Sequence, residues 1–140
     1  MEIRILESLP EEARDIRERV FVREQGFLEE FDEIDGQALH LLAIEDGKPV
    51  GTCRIFWDEE KDAYLIGRLA ILPEYRGKKI GAKLLLEAKE QVNRLGGTEA
   101  YLHAQHDKAG FYEKCGYQKI GEMELEQGYP HIWMVCRWNH

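Results

Sequence analysis

The stretch Arg68-Leu-Ala-Ile-Leu-Pro-Glu-Tyr-Arg-Gly-Lys-Lys-Ile-Gly-Ala82 holds the residues whose types and spacing most directly suggest chemistry. An apolar run that reads as a buried strand feeds a short loop, and the loop opens directly into a helical pattern. Backbone N–H groups in the first turn of a helix have no internal partner and point outward. With the positive end of the helix dipole they make a site for an anion such as a pyrophosphate, and Arg76, Lys78 and Lys79 bring countercharge. Gly77 and Gly81 permit tight backbone geometry and close approach of the anion. The spacing is neither a Walker loop nor a dinucleotide fingerprint. A plain loop with a solvated first turn would show the same composition, so on these residues alone both readings stand.

The elements around this stretch set its context. Glu2–Leu6 alternates Ile3 and Ile5 with charged residues, as a half-buried strand does. Ser8, Pro10 and Glu11 form a helix-start signal, and Leu9, Ala13, Ile16 and Val20 recur on one helical face until Gly26. The segment Phe27–Gly36 is acidic and without a clean period, a loop or short helix. Ala38–Glu45 and Val50–Trp57 read as strands joined at Asp46-Gly47, a hairpin turn signal. A turn near Asp58–Asp62 leads to a third strand, Ala63–Leu72. Lys79–Leu95 reads as a long helix with Ile80, Leu84, Leu85, Ala88, Val92 and Leu95 inward, closed by Gly96-Gly97. Ala100–Ala104 is a strand, Asp107–Lys114 a short helix stopped by Gly116, and two more strands flank Gly128–Pro130. Antiparallel hairpins followed by strand–helix–strand crossovers imply an α/β (α+β) fold. Its expected core is a mixed, mostly antiparallel sheet of about seven strands flanked by helices.

Bulk properties narrow the function class. A chain of 140 residues with 44% hydrophobic and 33% charged residues reads as one globular domain over 1–140. No apolar run approaches the roughly 20 residues of a membrane span, and no signal peptide is evident. Cys53, Cys115 and Cys136 are too widely spaced for a metal knuckle or a disulfide framework, so a cytoplasmic setting without a metal is expected. Lys and Arg number 19 against 27 Asp and Glu, a net charge of −8, which argues against a nucleic-acid partner. The same balance suits a cationic substrate, although Glu29, Glu30, Asp32, Glu33 and Asp35 read first as a solvated acidic loop.

Arg76-Gly-Lys-Lys-Ile-Gly81 resembles the R/Q-x-x-G-x-G/A motif of the GNAT superfamily of acetyl-coenzyme A-dependent N-acetyltransferases. Ala109-Gly-Phe-Tyr-Glu-Lys-Cys-Gly-Tyr117 is similar to that family's A-x-x-F-Y-x-x-x-G-F signature, with Ala109 one residue nearer the tyrosine than usual. Gly128-Tyr-Pro-His-Ile-Trp-Met134, Phe21-Val-Arg-Glu-Gln25 and Glu33-Ile-Asp35 resemble a small bacterial branch called ElaA-like. Together these segments span nearly the whole chain. One departure stands out: Lys79 occupies the usual place of the first motif glycine, where a side chain could crowd the pyrophosphate or add a contact.

The resemblance implies the acyl-CoA N-acyltransferase fold, acetyl-CoA as co-substrate, and a small-molecule or peptide amine as acceptor. It implies that the main chain of Leu69, Ala70 and Ile71 pairs with the pantetheine arm like an added strand. The amides of Arg76, Gly77, Lys78, Lys79, Ile80, Gly81 and Ala82 would hold the pyrophosphate, with Phe111 beside the cofactor. Tyr112 takes the role of protonating the departing thiolate; a core aromatic is its plain structural reading. Acetyl transfer also needs a proton taken from the amine and stabilisation of the developing oxyanion. The strand glutamate that often serves as base in this family is missing from Ile66-Gly67-Arg68. Glu24 and His103 are the leading candidates, with Asp35, His40, His131 or a water chain as alternatives. Cys115 as a ping-pong nucleophile is less favoured than a packed thiol. Trp57, Trp133 and Trp138 read as core or pocket wall. An exposed final strand would let two copies pair as a homodimer. The rival reading is a module that binds an acyl-CoA without turnover.

Overall fold

Seven strands hydrogen-bond into one sheet in the order β1-β2-β3-β4-β5-β7-β6. The strands are β1 (Glu2–Leu6), β2 (Leu39–Glu45), β3 (Lys48–Asp58), β4 (Ala63–Ile71), β5 (Glu99–Gln105), β6 (Gln118–Glu126) and β7 (Tyr129–Arg137). The computed structural model describes residues 1–27 and 31–138; Glu29 and Glu30 of the acidic loop lie outside them. β4 and β5 run parallel through Tyr64–Ala100 and Leu65–Tyr101, whereas β1–β2, β2–β3, β5–β7 and β6–β7 are antiparallel. The mixed seven-stranded sheet expected from the sequence is therefore present.

The chain packs as two compact units, Met1–Phe56 with Ile66–Ala88, and Trp57–Leu65 with Lys89–His140. In the first, α1 (Glu11–Arg17) lays Ala13 and Ile16 against Leu42, Ile44 and Ala70 of the sheet. The helical spacing continues past α1, but the backbone widens into a π-helical segment, Glu18–Glu24, which adds Val20 and Phe21 to that core. Gly26, at φ 78°, follows it. Pro10, in extended conformation, occupies the N-cap of α1 and no side chain caps the helix, so the expected Ser8 cap does not form. Gly51 on β3 sits in close packing, where a Cβ would lie 2.7 Å from Ile71 Cδ1 and 3.3 Å from the Ala70 carbonyl oxygen.

α2 (Ile80–Arg94) buries Ile80, Leu84, Leu85, Ala88 and Val92 as its period predicts. Leu95 falls beyond the helix end and is 49% exposed, which corrects its inward placement. In the second unit, β5 turns Ala100, Leu102 and Ala104 inward. The helix read over Asp107–Lys114 begins as a 3-10 turn, His106–Lys108, and becomes α3 only at Ala109–Lys114. β7 hydrogen-bonds to β5 on one side and β6 on the other, so the final strand is not an edge. β6 lies at one edge of the sheet and is exposed along almost its whole length. Trp57 is 49% exposed and meets Tyr64 edge-on at 5.0 Å, so it is not a core residue.

Candidate active site

The expected phosphate cradle lies in the first unit. β4 ends at Ile71, Pro73–Tyr75 makes one 3-10 turn, and α2 begins at Ile80. Between them the chain reverses through two left-handed residues, Gly77 at φ 80° and Lys79 at φ 64°. Space is open where a Gly77 Cβ would stand, and the Lys79 side chain is exposed. The first-turn amides of α2 at Ile80, Gly81 and Ala82 have no intrahelical carbonyl to bond, which is the donor set a pyrophosphate requires. The glycine usual at position 79 is thus explained by backbone conformation. Lysine can adopt the same φ at a cost of about 1–2 kcal/mol, and its main-chain amide is retained. Within β4, Arg68 is also left-handed, at φ 52°, which breaks the regular pleat beside Leu69–Ile71.

Arg76 does not present a free guanidinium to this cradle. Nη1 and Nη2 donate to the two carboxylate oxygens of Glu24 at 2.7 and 2.8 Å, and Nε donates to the Ile71 carbonyl at 3.1 Å. The hydrogen bond and charge of Glu24 raise the Arg76 pKa further above its ordinary value. Glu24, read from the sequence as a base, therefore has its carboxylate engaged at the cradle's entrance. Lys78 and Lys79 carry the remaining local positive charge, with Lys78 Nζ 5.3 Å from the centre of the Tyr75 ring.

The acidic segment before β2 also has a different character from its composition. Arg17, 1% exposed, donates to both Asp35 oxygens at 2.7 and 3.0 Å. Arg54 on β3 donates to Asp35 at 3.0 Å and to Asp32 at 2.7 and 3.2 Å. Burial pushes the Asp35 carboxyl up, but the hydrogen bonds and charges of Arg17 and Arg54 outweigh it and hold the pKa at about 2. Such a carboxylate is too weakly basic to take a proton from an ammonium group. His40 is 1% exposed, burial lowers its pKa, and its Nε2 lies 2.9 Å from the Asp35 carbonyl oxygen. Asp35 and His40 are thus packing groups, and sequence reading missed the network because its members lie 18 to 22 residues apart.

The second unit carries the other candidates. Tyr112 sits half-buried on α3, its ring 5.1 Å from Phe111 and 6.2 Å from Tyr117. Phe111 is 38% exposed. Burial raises the Cys115 pKa, which disfavours its thiolate. On β5, His103 stacks on Trp133 at 4.5 Å and lies 5.0 Å from His131, both on β7. Glu126 approaches His103 Nδ1 at 3.3 Å. Glu124 lies 3.0 Å from His103 Nε2 without hydrogen-bond alignment and accepts from Trp133 Nε1 at 3.2 Å. Neither glutamate stood out in the sequence, since β6 looked like an ordinary charged strand. Among the described residues no group of three or more His, Cys, Asp or Glu is placed to hold a metal ion. Nor is any described helix long and apolar enough to cross a membrane.

Comparison with known proteins agrees with this geometry. Residues 36–119 match the acetyltransferase (GNAT) domain family. The chain is 35% identical to the uncharacterized N-acetyltransferase YjcF of Bacillus subtilis, with 86% of each chain covered. It is 31% identical to protein ElaA of Escherichia coli over 86% of this chain and 82% of that one. The crystal structure of E. coli ElaA superposes with a TM-score of 0.86, covering 97% and 99% of the two chains at 27% identity. An aminoglycoside 6'-N-acetyltransferase complexed with coenzyme A shares the fold, with a TM-score of 0.78 at 19% identity and coverage of 98% and 97%. On its motifs, fold and relatives, the chain belongs to the GNAT family of acetyl-CoA-dependent N-acetyltransferases.

Proposed function

We propose that the chain transfers an acetyl group from acetyl-CoA to a primary amine by direct attack, with both substrates bound together, and that residues 1–140 act as one transferase domain. The observation that carries this reading is the cradle: a strand end, two left-handed residues and a helix N-terminus in immediate succession. When bound, acetyl-CoA supplies the activated acetyl group. The main chain of Leu69–Ile71 is assigned to the pantetheine arm and Phe111 to the cofactor's flank. The amides of Gly77–Ala82 are assigned to the pyrophosphate, since the Arg76 amide, expected among them, donates instead to the Pro73 carbonyl at 3.3 Å.

The amine nitrogen forms a bond to the acetyl carbon while the carbon–sulfur bond breaks, and Tyr112 gives its hydroxyl proton to the departing sulfur. A cationic amine loses two protons: one passes through water to the buried His103 Nε2 before attack, and the second, released as the amide forms, returns to the Tyr112 oxygen. Glu126 orients the ring through Nδ1, as a carboxylate orients an imidazole base, and Glu124 draws the cationic amine toward that nitrogen. The raised Cys115 pKa favours direct transfer over a thioester on the protein. The test is acetyl-CoA-dependent thiol release over aminosugars, polyamines, amino acids and peptides. Tyr112→Phe is expected to slow turnover about 100-fold with acetyl-CoA affinity unchanged. Cofactor binding without thiol release from any acceptor would refute the enzyme mechanism.

A further inference from the structure

The π-helical segment Glu18–Glu24 meets the approach to the cradle through two ion pairs of opposite polarity. Arg19 donates to both carboxylate oxygens of Glu74 at 2.8 and 2.9 Å, and Glu24 accepts both terminal nitrogens of Arg76 at 2.7 and 2.8 Å. Helix and loop each contribute one cation and one anion, separated by 55 and 52 residues of sequence. In an α-helix, Arg19 and Glu24 would point about 140° apart. A ladder of i to i+5 hydrogen bonds brings residues five apart onto one face. The Gln25 amide makes such a bond to the Val20 carbonyl, and Arg23 reaches back five residues to Glu18 at 3.1 Å. The π winding is therefore what lets Arg19 and Glu24 engage the same loop.

We propose that Glu24 is a positioning residue of the cofactor site, not its base: the π-wound face clamps Pro73–Arg76 and thereby sets the shape of the pyrophosphate cradle. The Arg76 guanidinium is held at three points, twice by Glu24 and once by the carbonyl that ends β4. Its own amide closes the turn onto the Pro73 carbonyl at 3.3 Å, so the free donors of the cradle begin after the clamped residue. Phosphate countercharge then falls to Lys78 and Lys79. The inference rests on the acetyl-CoA reading of the cradle.

Arg19 and Glu74 provide the cleanest test, because neither belongs to the cradle nor is a base candidate. Acetyl-CoA dissociation constants are measured by calorimetry for the wild type, Arg19→Glu, Glu74→Arg and the charge-swapped double variant, each checked for folding by circular dichroism. Arg19→Glu is expected to weaken binding about fivefold, and the swap to restore most of it. Additive single effects, with no recovery in the double variant, would overturn the clamp. Glu24→Gln is expected to raise KM for acetyl-CoA about fivefold, with kcat and its pH profile preserved. A fall in kcat with loss of the acidic limb would make Glu24 the base and also overturn the proposal. Absence of binding by the wild type is a separate outcome, which removes the cofactor reading and the clamp's role in it together.

Discussion

Two sets of arginine–carboxylate pairs in the first unit use the same chemistry in opposite surroundings. Arg17, Asp35 and Arg54 have side chains 1%, 9% and 4% exposed. Those of the clamp are half in water: Arg19 and Glu74 at 46% and 52%, Arg76 and Glu24 at 41% and 39%. The distances are alike, 2.7 Å for Arg17–Asp35 and 2.7 Å for Arg76–Glu24. What differs is the alternative open to each charge once its partner is gone. A buried arginine keeps its desolvation cost without compensation, whereas an exposed one regains water. The buried network should therefore govern stability, leaving the clamp free to adjust a binding site.

Removing Asp35 should show the largest effect. Asp35→Ala leaves Arg17 and Arg54 facing each other in the interior, and a loss of about 3–5 kcal/mol is expected in chemical denaturation. A loss comparable to that of an exposed pair would erase the contrast. Acid should reproduce part of it. The folded Asp35 pKa of about 2 is depressed below its ordinary value of 3.8, so its contribution is complete above about pH 5 and disappears as pH falls toward 2. That shift corresponds to about 2 kcal/mol. Asp32, also lowered, acts in the same direction. His40 adds an earlier loss. Its folded pKa is lowered by burial, so the unfolded chain takes up a proton first as pH drops below about 6.5. Melting temperature against pH should thus fall in two stages, and Asp35→Asn should flatten the more acidic one.

The sequence exposed what is local and concealed what is not. The Asp46-Gly47 turn, the α2 stripe and the strand feeding the cradle all carry short-range signals, and all three form. The clamp and the buried network join residues 18 to 55 positions apart, and no periodicity announces such partners. Phe27–Gly36 looked solvated because its charges were counted alone, when two of its aspartates belong to arginines on α1 and β3. The π segment escaped notice for a related reason. Val20 still fits the helical stripe, and Val22, Arg23, Glu24 and Gln25 after it have no apolar period to reveal the wider winding. Lys79 was legible only as a departure from a motif; its φ supplied the explanation.

Lys79→Gly tests that explanation at a smaller scale. Relief of the left-handed strain exceeds the added entropy of the unfolded glycine, so a gain of about 0.5–1 kcal/mol is expected by denaturant titration. Acetyl-CoA affinity, measured in parallel, reports whether the Lys79 ammonium contributes to binding beyond its amide.

The smallest stability effect should come from the clamp itself. Glu24→Gln removes a bidentate pair, yet both partners are well solvated, and the loss should stay under about 1 kcal/mol. Raising salt from 0.15 M to 1 M shortens the screening length from about 8 Å to about 3 Å. The difference between wild type and Glu24→Gln should then fade, while that between wild type and Asp35→Ala persists. The two variants thus contrast an exposed carboxylate held by Arg76 with a buried one shared by Arg17 and Arg54. If Glu24→Gln proved as costly and as insensitive to salt as Asp35→Ala, the clamp would be a second structural core. Its part in shaping the cradle would then follow from folding rather than from adjustable contact.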